Sequence, residues 1–294
     1  MRFATNFHPA PRLPILAFDV QRSTLDVFPM FPLHTKSFPS SAADLARLMN
    51  ESLQRIFITD ADPVRLEEAS YPQLRSLRLV LDRARLRPGP PLPPAVDGGR
   101  APALHLHELR IEGSQLTIGP VIADLRLSAR DVRLDQARDA QDEIVLLVKS
   151  AVEGEVEIAT RKSDLEAAIT AVASREAGKQ GVTIESANLI LHERGPRSVS
   201  AEVKIKARKL FFSTTIGLTA DLALDDELNA TISSLACRGD GVIGALVCGA
   251  LAPHLEKLNG RTFSLLALPL GEIRLRDVRL STAGEKVAAY AEFG

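Results

Sequence analysis

With 294 residues, the chain is long enough for one large domain or two. Its 36 basic and 37 acidic residues leave a net charge of −1, and aromatics make up only 4%, so neither a basic footprint nor a set of stacking platforms points to nucleic acid. Hydrophobic residues reach 45% with no Trp, so the core is aliphatic.

Residues 1–39 carry Pro9, Pro11, Pro14, Pro29, Pro32 and Pro39 among four phenylalanines from Phe18 to Phe38. That spacing forbids a helix and predicts an extended arm, with short extended pieces at Ile15–Val20 and Thr24–Phe28. A secretory signal is not apparent, because these prolines interrupt any apolar run. The longest charge-free apolar stretch, Gly241–Pro253, falls short of the ~20 residues that span a bilayer. Cytoplasmic location is the default expectation. Cys237 and Cys248 read as two buried thiols, with a single bridge as the alternative if the protein is exported.

The body begins at residue 40. Ser41 and Asp44 cap a helix over 41–57 whose apolar stripe is Leu45, Leu48, Met49, Leu53, Ile56 and Phe57. A strand follows over Leu74–Leu86, then a Pro/Gly loop over Pro88–Arg100. Two strands, Leu104–Ile118 and Val121–Leu134, flank a Gly119–Pro120 turn. The alternation slips between Leu106 and Leu109, which predicts a bulge. Residues 143–150 fit helix and strand equally, and 151–159 reads as strand.

A second helix runs over Ser163–Ala177, with Ser163 and Glu166 as a capping box and Leu165, Ile169 and Val172 as its stripe. Strands follow at Val182–His192, Val199–Leu210, Phe211–Leu224 and Leu228–Leu235. Ser198–Leu224 is the most regular stretch of the chain, with aliphatics alternating against Ser, Thr and charged residues. Fourteen residues would span about 45 Å, so this is read as the longest strand pair. A third helix over Val242–Leu258 precedes strands at Phe263–Leu268, Glu272–Leu280 and Val287–Phe293. Helix plus meander, repeated as 40–150 and 151–294, describes this order.

No catalytic constellation emerges, and none of the residues is assigned to a metal or cofactor. Gly239-Asp-Gly241-Val-Ile-Gly244 matches G-x-G-x-x-G between a strand and a helix. Its strand is not the continuous apolar run of a parallel sheet, so close helix packing is the preferred role for these glycines. His105 and His107 share one face of a strand but lack a third ligand at a recognisable spacing, and read as solvent-facing. Lys204, Lys206, Arg208 and Lys209 form a basic stripe, either a solvated sheet face or a contact for anionic lipid head groups.

Val152-Glu-Gly-Glu-Val-Glu-Ile158, Ser163-Asp-Leu165 opening a helix, Val182–Leu189, the long alternating strands, Leu268-Pro-Leu-Gly271 and Ile273–Leu280 together resemble the tubular lipid-binding (TULIP) superfamily, nearest to bacterial LmeA-type and YceB-type lipid-binding proteins. The resemblance implies a long, curved antiparallel sheet wrapped around helices, with acyl chains held in the groove between. It also implies the cell envelope or periplasm as the alternative location.

The expected fold is therefore α+β, a long curved antiparallel sheet around amphipathic helices. The expected function is non-enzymatic binding or transport of lipids or fatty acyl chains, with no cofactor and a possible anionic membrane surface as partner. Candidate groove residues are Phe212, Ile216, Leu218, Leu222, Val203, Ile205, Ile169, Val172, Leu246 and Leu251. The competing expectation is a structural or interaction scaffold with a self-filled core, docking a partner through the basic strand face or the N-terminal arm.

Overall fold

The structure is a computed structural model that describes residues 30–96, 98–178, 181–209, 212–267 and 272–294. It is α+β, with three α-helices and two sheets among the described residues. Of the extended arm, residues 1–29 lie outside that set; Met30–Pro32 (β1) pairs antiparallel with Ile144–Ser150 (β8).

The first sheet is built on the hairpin of Ala101–Ile118 (β6) and Val121–Arg138 (β7), 18 residues each. These, and not the strands of Ser198–Leu224, are the longest. Around them lie Val64–Ser70 (β3), Gln73–Val80 (β4), Glu153–Arg161 (β9) and the C-terminal hairpin Leu275–Ala283 (β15) and Lys286–Phe293 (β16), in the order β15-β16-β9-β7-β6-β4-β3. The chain end thus returns to the first sheet, and the sheets do not follow a division at 150/151.

Two pairings depart from an all-antiparallel reading. β4 runs parallel to β6, as does the short Arg85–Leu86 (β5). Parallel neighbours need a crossover of a dozen or more residues. The Pro-rich segment 88–100 supplies it, so the apparent spacer is a structural return.

The bulge expected between Leu106 and Leu109 does not form as a register shift; the shifts between β6 and β7 fall at Pro102/Leu104 and Gly113/Leu116. Core-facing positions are three apart, not two, in all three neighbouring strands: Leu74/Leu77, Leu106 and the half-buried Leu109, and Ala129/Val132. All belong to one core. The β4–β6 and β6–β7 registers stay constant through this row because each strand slips by the same step. The slip surfaces as a register shift against β3, with a further shift against β8 between Arg133 and Leu134, and as a left-handed backbone at Asp131 (φ +49°).

Ala42–Ile56 (α1) covers this face. Ser41 Oγ accepts from the Asp44 amide at 3.1 Å, and the stripe buries Leu45, Met49 and Leu53 almost completely. Each such side chain contributes about 1.5–3 kcal/mol of burial free energy. The ambiguous 143–150 is strand β8. Ile144 and Leu146 enter the main core, while Val145 and Leu147 enter a second cluster with Ala137, Met30 and Val96. Burial on both faces erases the alternation that identifies a strand.

The second sheet contains Thr183–Gly195 (β10), Ser198–Lys209 (β11), Phe212–Leu224 (β12), Asn229–Gly239 (β13) and Arg261–Ser264 (β14), in sequential antiparallel order. Lys162–Gly178 (α2) lies along its β10 edge. The predicted capping box does not form. Glu166 instead accepts the Leu189 amide at 2.8 Å, and Thr170 Oγ1 accepts the Ala187 amide at 3.1 Å. Two outward N–H groups of an edge strand are thereby satisfied, which closes that edge to other strands. Gly241–Leu258 (α3) packs on β13 and β12. Among the described residues, no helix is long and apolar enough to cross a membrane.

Candidate functional site

The second sheet presents one aliphatic face. Register places Val203 opposite Leu218 and Leu189, Ile205 opposite Ile216 and Ala187, and Val199 opposite Leu222. Ile205 and Ile216 are buried, whereas Val203, Leu218 and Leu222 are half-buried. Phe212, on the same face at the start of β12, is 66% exposed. Ile169 and Val172 of α2 and Leu251 of α3 are half-buried. The side chain of Leu246 lies outside the described set. This face is covered incompletely, in contrast to the first sheet, where Leu74, Leu106 and Val132 are fully buried.

The third helix explains the difference. From Gly241 to Ala252 it has no charged residue on any side. A helix apolar all round is ordinarily buried all round. Here one side meets the sheet, while Val242 is 79% exposed and Leu258 41%. Phe263 and Leu266, just beyond its C-terminus, are also exposed.

Two devices hold α3 down. Cys237, beside Leu218 on the aliphatic face of β13, is disulfide-bonded to Cys248 of α3. The reading of these cysteines as two thiols is thus corrected. The second device is the glycine motif. A Cβ on Gly239 would collide with Gly244, and one on Gly244 would meet both Gly239 and Thr214 Oγ1, the latter at 2.9 Å. Gly241 takes φ +67° at the turn. The glycines bring the first turn of α3 against the end of β13 and β12, which is the packing role expected for them.

The basic stripe lies elsewhere. Lys204, Lys206 and Arg208 pair with Gly217, Thr215 and Ser213, the alternate residues of β12, so they occupy the sheet face opposite α3. Lys204 contacts Glu202 at 3.3 Å and Arg208 contacts Glu185 at 3.4 Å. The side chain of Lys209 lies outside the described set. The structure places Lys204, Lys206 and Arg208 away from the surface that carries the exposed apolar helix.

A cleft of about 500 Å³ opens where the two sheets join, lined by Pro196, Arg197, Leu224, Asp226, Asp277 and Arg279 among others. Arg197 donates to Asp226 at 2.9 Å and to Asp277 at 2.6 Å, and Arg279 donates to Asp277 at 2.5 Å. These bonds, Arg197's foremost, hold the Asp277 carboxyl below the usual carboxylate range and raise both guanidiniums. Two cations balance two carboxylates, and each is already bonded, so the cleft is a joint more than a receptor. The Leu280 amide donating to Pro196 O at 2.7 Å reinforces it.

His105 and His107 are not alone. Asp131 Oδ1 lies 3.7 Å from His105 Nε2 and 3.4 Å from His107 Nδ1, so the third potential ligand comes from the neighbouring strand. It is distant in sequence and invisible to a spacing search. The Gly119–Pro120 turn alone would set Val132 level with His107; the register shift between Gly113 and Leu116 moves the strands by one residue and brings Asp131 there instead. Comparison of the chain with protein-family models, with curated proteins and with solved structures finds no match.

Proposed function

We propose that the protein binds lipid acyl chains, without catalysis, between the aliphatic face of the second sheet and the helices α2 and α3. The observation that carries the reading is α3, uncharged from Gly241 to Ala252 yet with Val242 79% exposed. Acyl chains suit such a surface. Aliphatic side chains give non-directional burial, about 25 cal/mol per Å², and impose no hydrogen-bond geometry. The likeness to the TULIP superfamily belongs to this proposal, with the second sheet as the groove wall and α3 as one lip. The disulfide favours an oxidising compartment such as the cell envelope over the cytoplasm.

The test is native mass spectrometry and solvent extraction of the purified full chain, followed by uptake of a fluorescent fatty acid. Lipid-sized adducts and saturable uptake are the expected results. A lipid-free protein that also fails to take up the probe overturns the reading. That outcome favours a self-filled interaction scaffold, for which the first sheet, sealed by α1 at Leu45, Met49 and Leu53, is the precedent within this chain.

A further inference from the structure

We infer that His105, His107 and Asp131 form a binding site for a late first-row divalent metal ion of the Zn²⁺, Ni²⁺ or Cu²⁺ class. The three ligand atoms all lie within 4.8 Å of one another. The inference is independent of lipid binding, since the site is on the first sheet.

The spacing is that of a metal polyhedron. Ligands about 2.0–2.1 Å from a tetrahedral Zn²⁺ are about 3.3 Å apart. The two histidine–carboxylate distances, 3.7 and 3.4 Å, need only tenths of an ångström of adjustment, and the histidine–histidine separation, within 4.8 Å, closes by rotation of the exposed His107 ring. The imidazole rings are 5.2 Å apart at 57°, tilted and not stacked, so their edges turn toward Asp131. Two imidazoles and one carboxylate suit Zn²⁺, Ni²⁺ and Cu²⁺ over Ca²⁺ or Mg²⁺, which prefer all-oxygen shells.

The backbone explains why these side chains converge. They sit on the row where β4, β6 and β7 slip together. There β7 also changes partner: Arg130 is its last residue paired with β9, and Arg133 its first paired with β8. Asp131 stands at that changeover in the left-handed region, φ +49°. Leu106 and Val132, both fully buried, fix the strands on either side, so the cluster stands on a rigid floor. The shared slip re-aims these side chains as a β-bulge would. His105 is half-buried, while His107 and Asp131 are exposed, which leaves the remaining coordination positions open to water or an outside ligand.

The experiment uses full-length protein without a polyhistidine tag, stripped by chelator and titrated with ZnCl₂ by calorimetry. CoCl₂ is added in parallel, because tetrahedral Co²⁺ coordination gives a visible absorption band. The expected result is one Zn²⁺ per chain, a Co²⁺ band, and a loss of affinity of at least tenfold in His105→Ala, His107→Ala and Asp131→Asn. His192→Ala, an exposed histidine on the second sheet, serves as the control and retains the affinity. Asn tolerates the left-handed backbone, so Asp131→Asn removes the charge without demanding a new fold; circular dichroism checks this. Absence of stoichiometric binding of Zn²⁺, Ni²⁺ and Cu²⁺ overturns the assignment. So does binding that survives the His105→Ala/His107→Ala double variant.

Discussion

Cys237 of β13 is bonded to Cys248 of α3, their Cα atoms 5.4 Å apart, and the bond fastens the most apolar helix of the protein to the sheet it half covers. The uncharged part of that helix, Gly241–Ala252, gains little from choosing one orientation over another, since each face there is about equally apolar. The covalent tie chooses for it. It also keeps α3 from peeling away and exposing the aliphatic face beneath.

Removal of that tie should be costly. Closing a loop of this size is associated with about 3 kcal/mol in the chain-entropy account. Thiol titration of the unfolded, unreduced protein should find no free thiol. Cys248→Ser, or reduction of the native protein, should lower the denaturant midpoint by an amount equivalent to roughly 2–3 kcal/mol. Equal midpoints with and without reductant would show that the bond carries no stability.

The two sheets should respond differently to cavities. Leu106 is fully buried beneath α1, so Leu106→Ala should cost about 2–5 kcal/mol. Leu218 is half-buried on the second sheet. Its truncation removes less contact, and Leu218→Ala should cost under about 2 kcal/mol while weakening fatty acid uptake. Chemical denaturation of both variants, alongside the uptake assay, separates a filled core from an open one.

Ser52 offers a test of opposite sign. Its Oγ is buried in α1 with no hydrogen-bond partner among the described residues. Its helix packs on the first sheet through the neighbouring Leu53. Ser52→Ala removes a desolvated hydroxyl and improves helix propensity, so a gain of up to about 1 kcal/mol is expected in thermal or urea unfolding. A loss would mean that the hydroxyl has a partner such as an ordered water.

These contrasts bear on how much of the structure could be read in advance. α1 and, apart from β8, the strands from β6 to β13 were readable because one face of each meets a core and the other meets water, so sequence period reports burial directly. β8 was not, because Val145 and Leu147 are buried on the face that would otherwise have been polar. The parallel β4–β6 pairing was hidden because both strands look alike whichever way they pair; only the length of the Pro-rich return hinted at it. β3 was missed because only Val64 of its seven residues is fully buried. The capping box failed for a tertiary reason, as Glu166 is worth more against the open amides of β10 than against its own helix terminus. At the candidate sites, the aliphatic face was readable residue by residue. The incomplete cover over it, the disulfide and the place of Asp131 all depend on how separate strands and helices meet.

Acid should loosen the joint between the sheets. Asp277 accepts from Arg197 and Arg279, and these bonds hold its folded-state pKa below the unfolded value of about 3.9. A depressed carboxylate contributes stability above the unfolded pKa and loses it as pH falls through the folded pKa. The wild type should therefore lose stability progressively from about pH 4 downward. Asp277→Asn removes the titrating group, so its stability should be lower at neutral pH and should fall less steeply between pH 5 and pH 3. Urea unfolding at a series of pH values measures both slopes. Parallel acid limbs in the two proteins would mean that Asp277 is not what ties β15 to the β10–β11 turn.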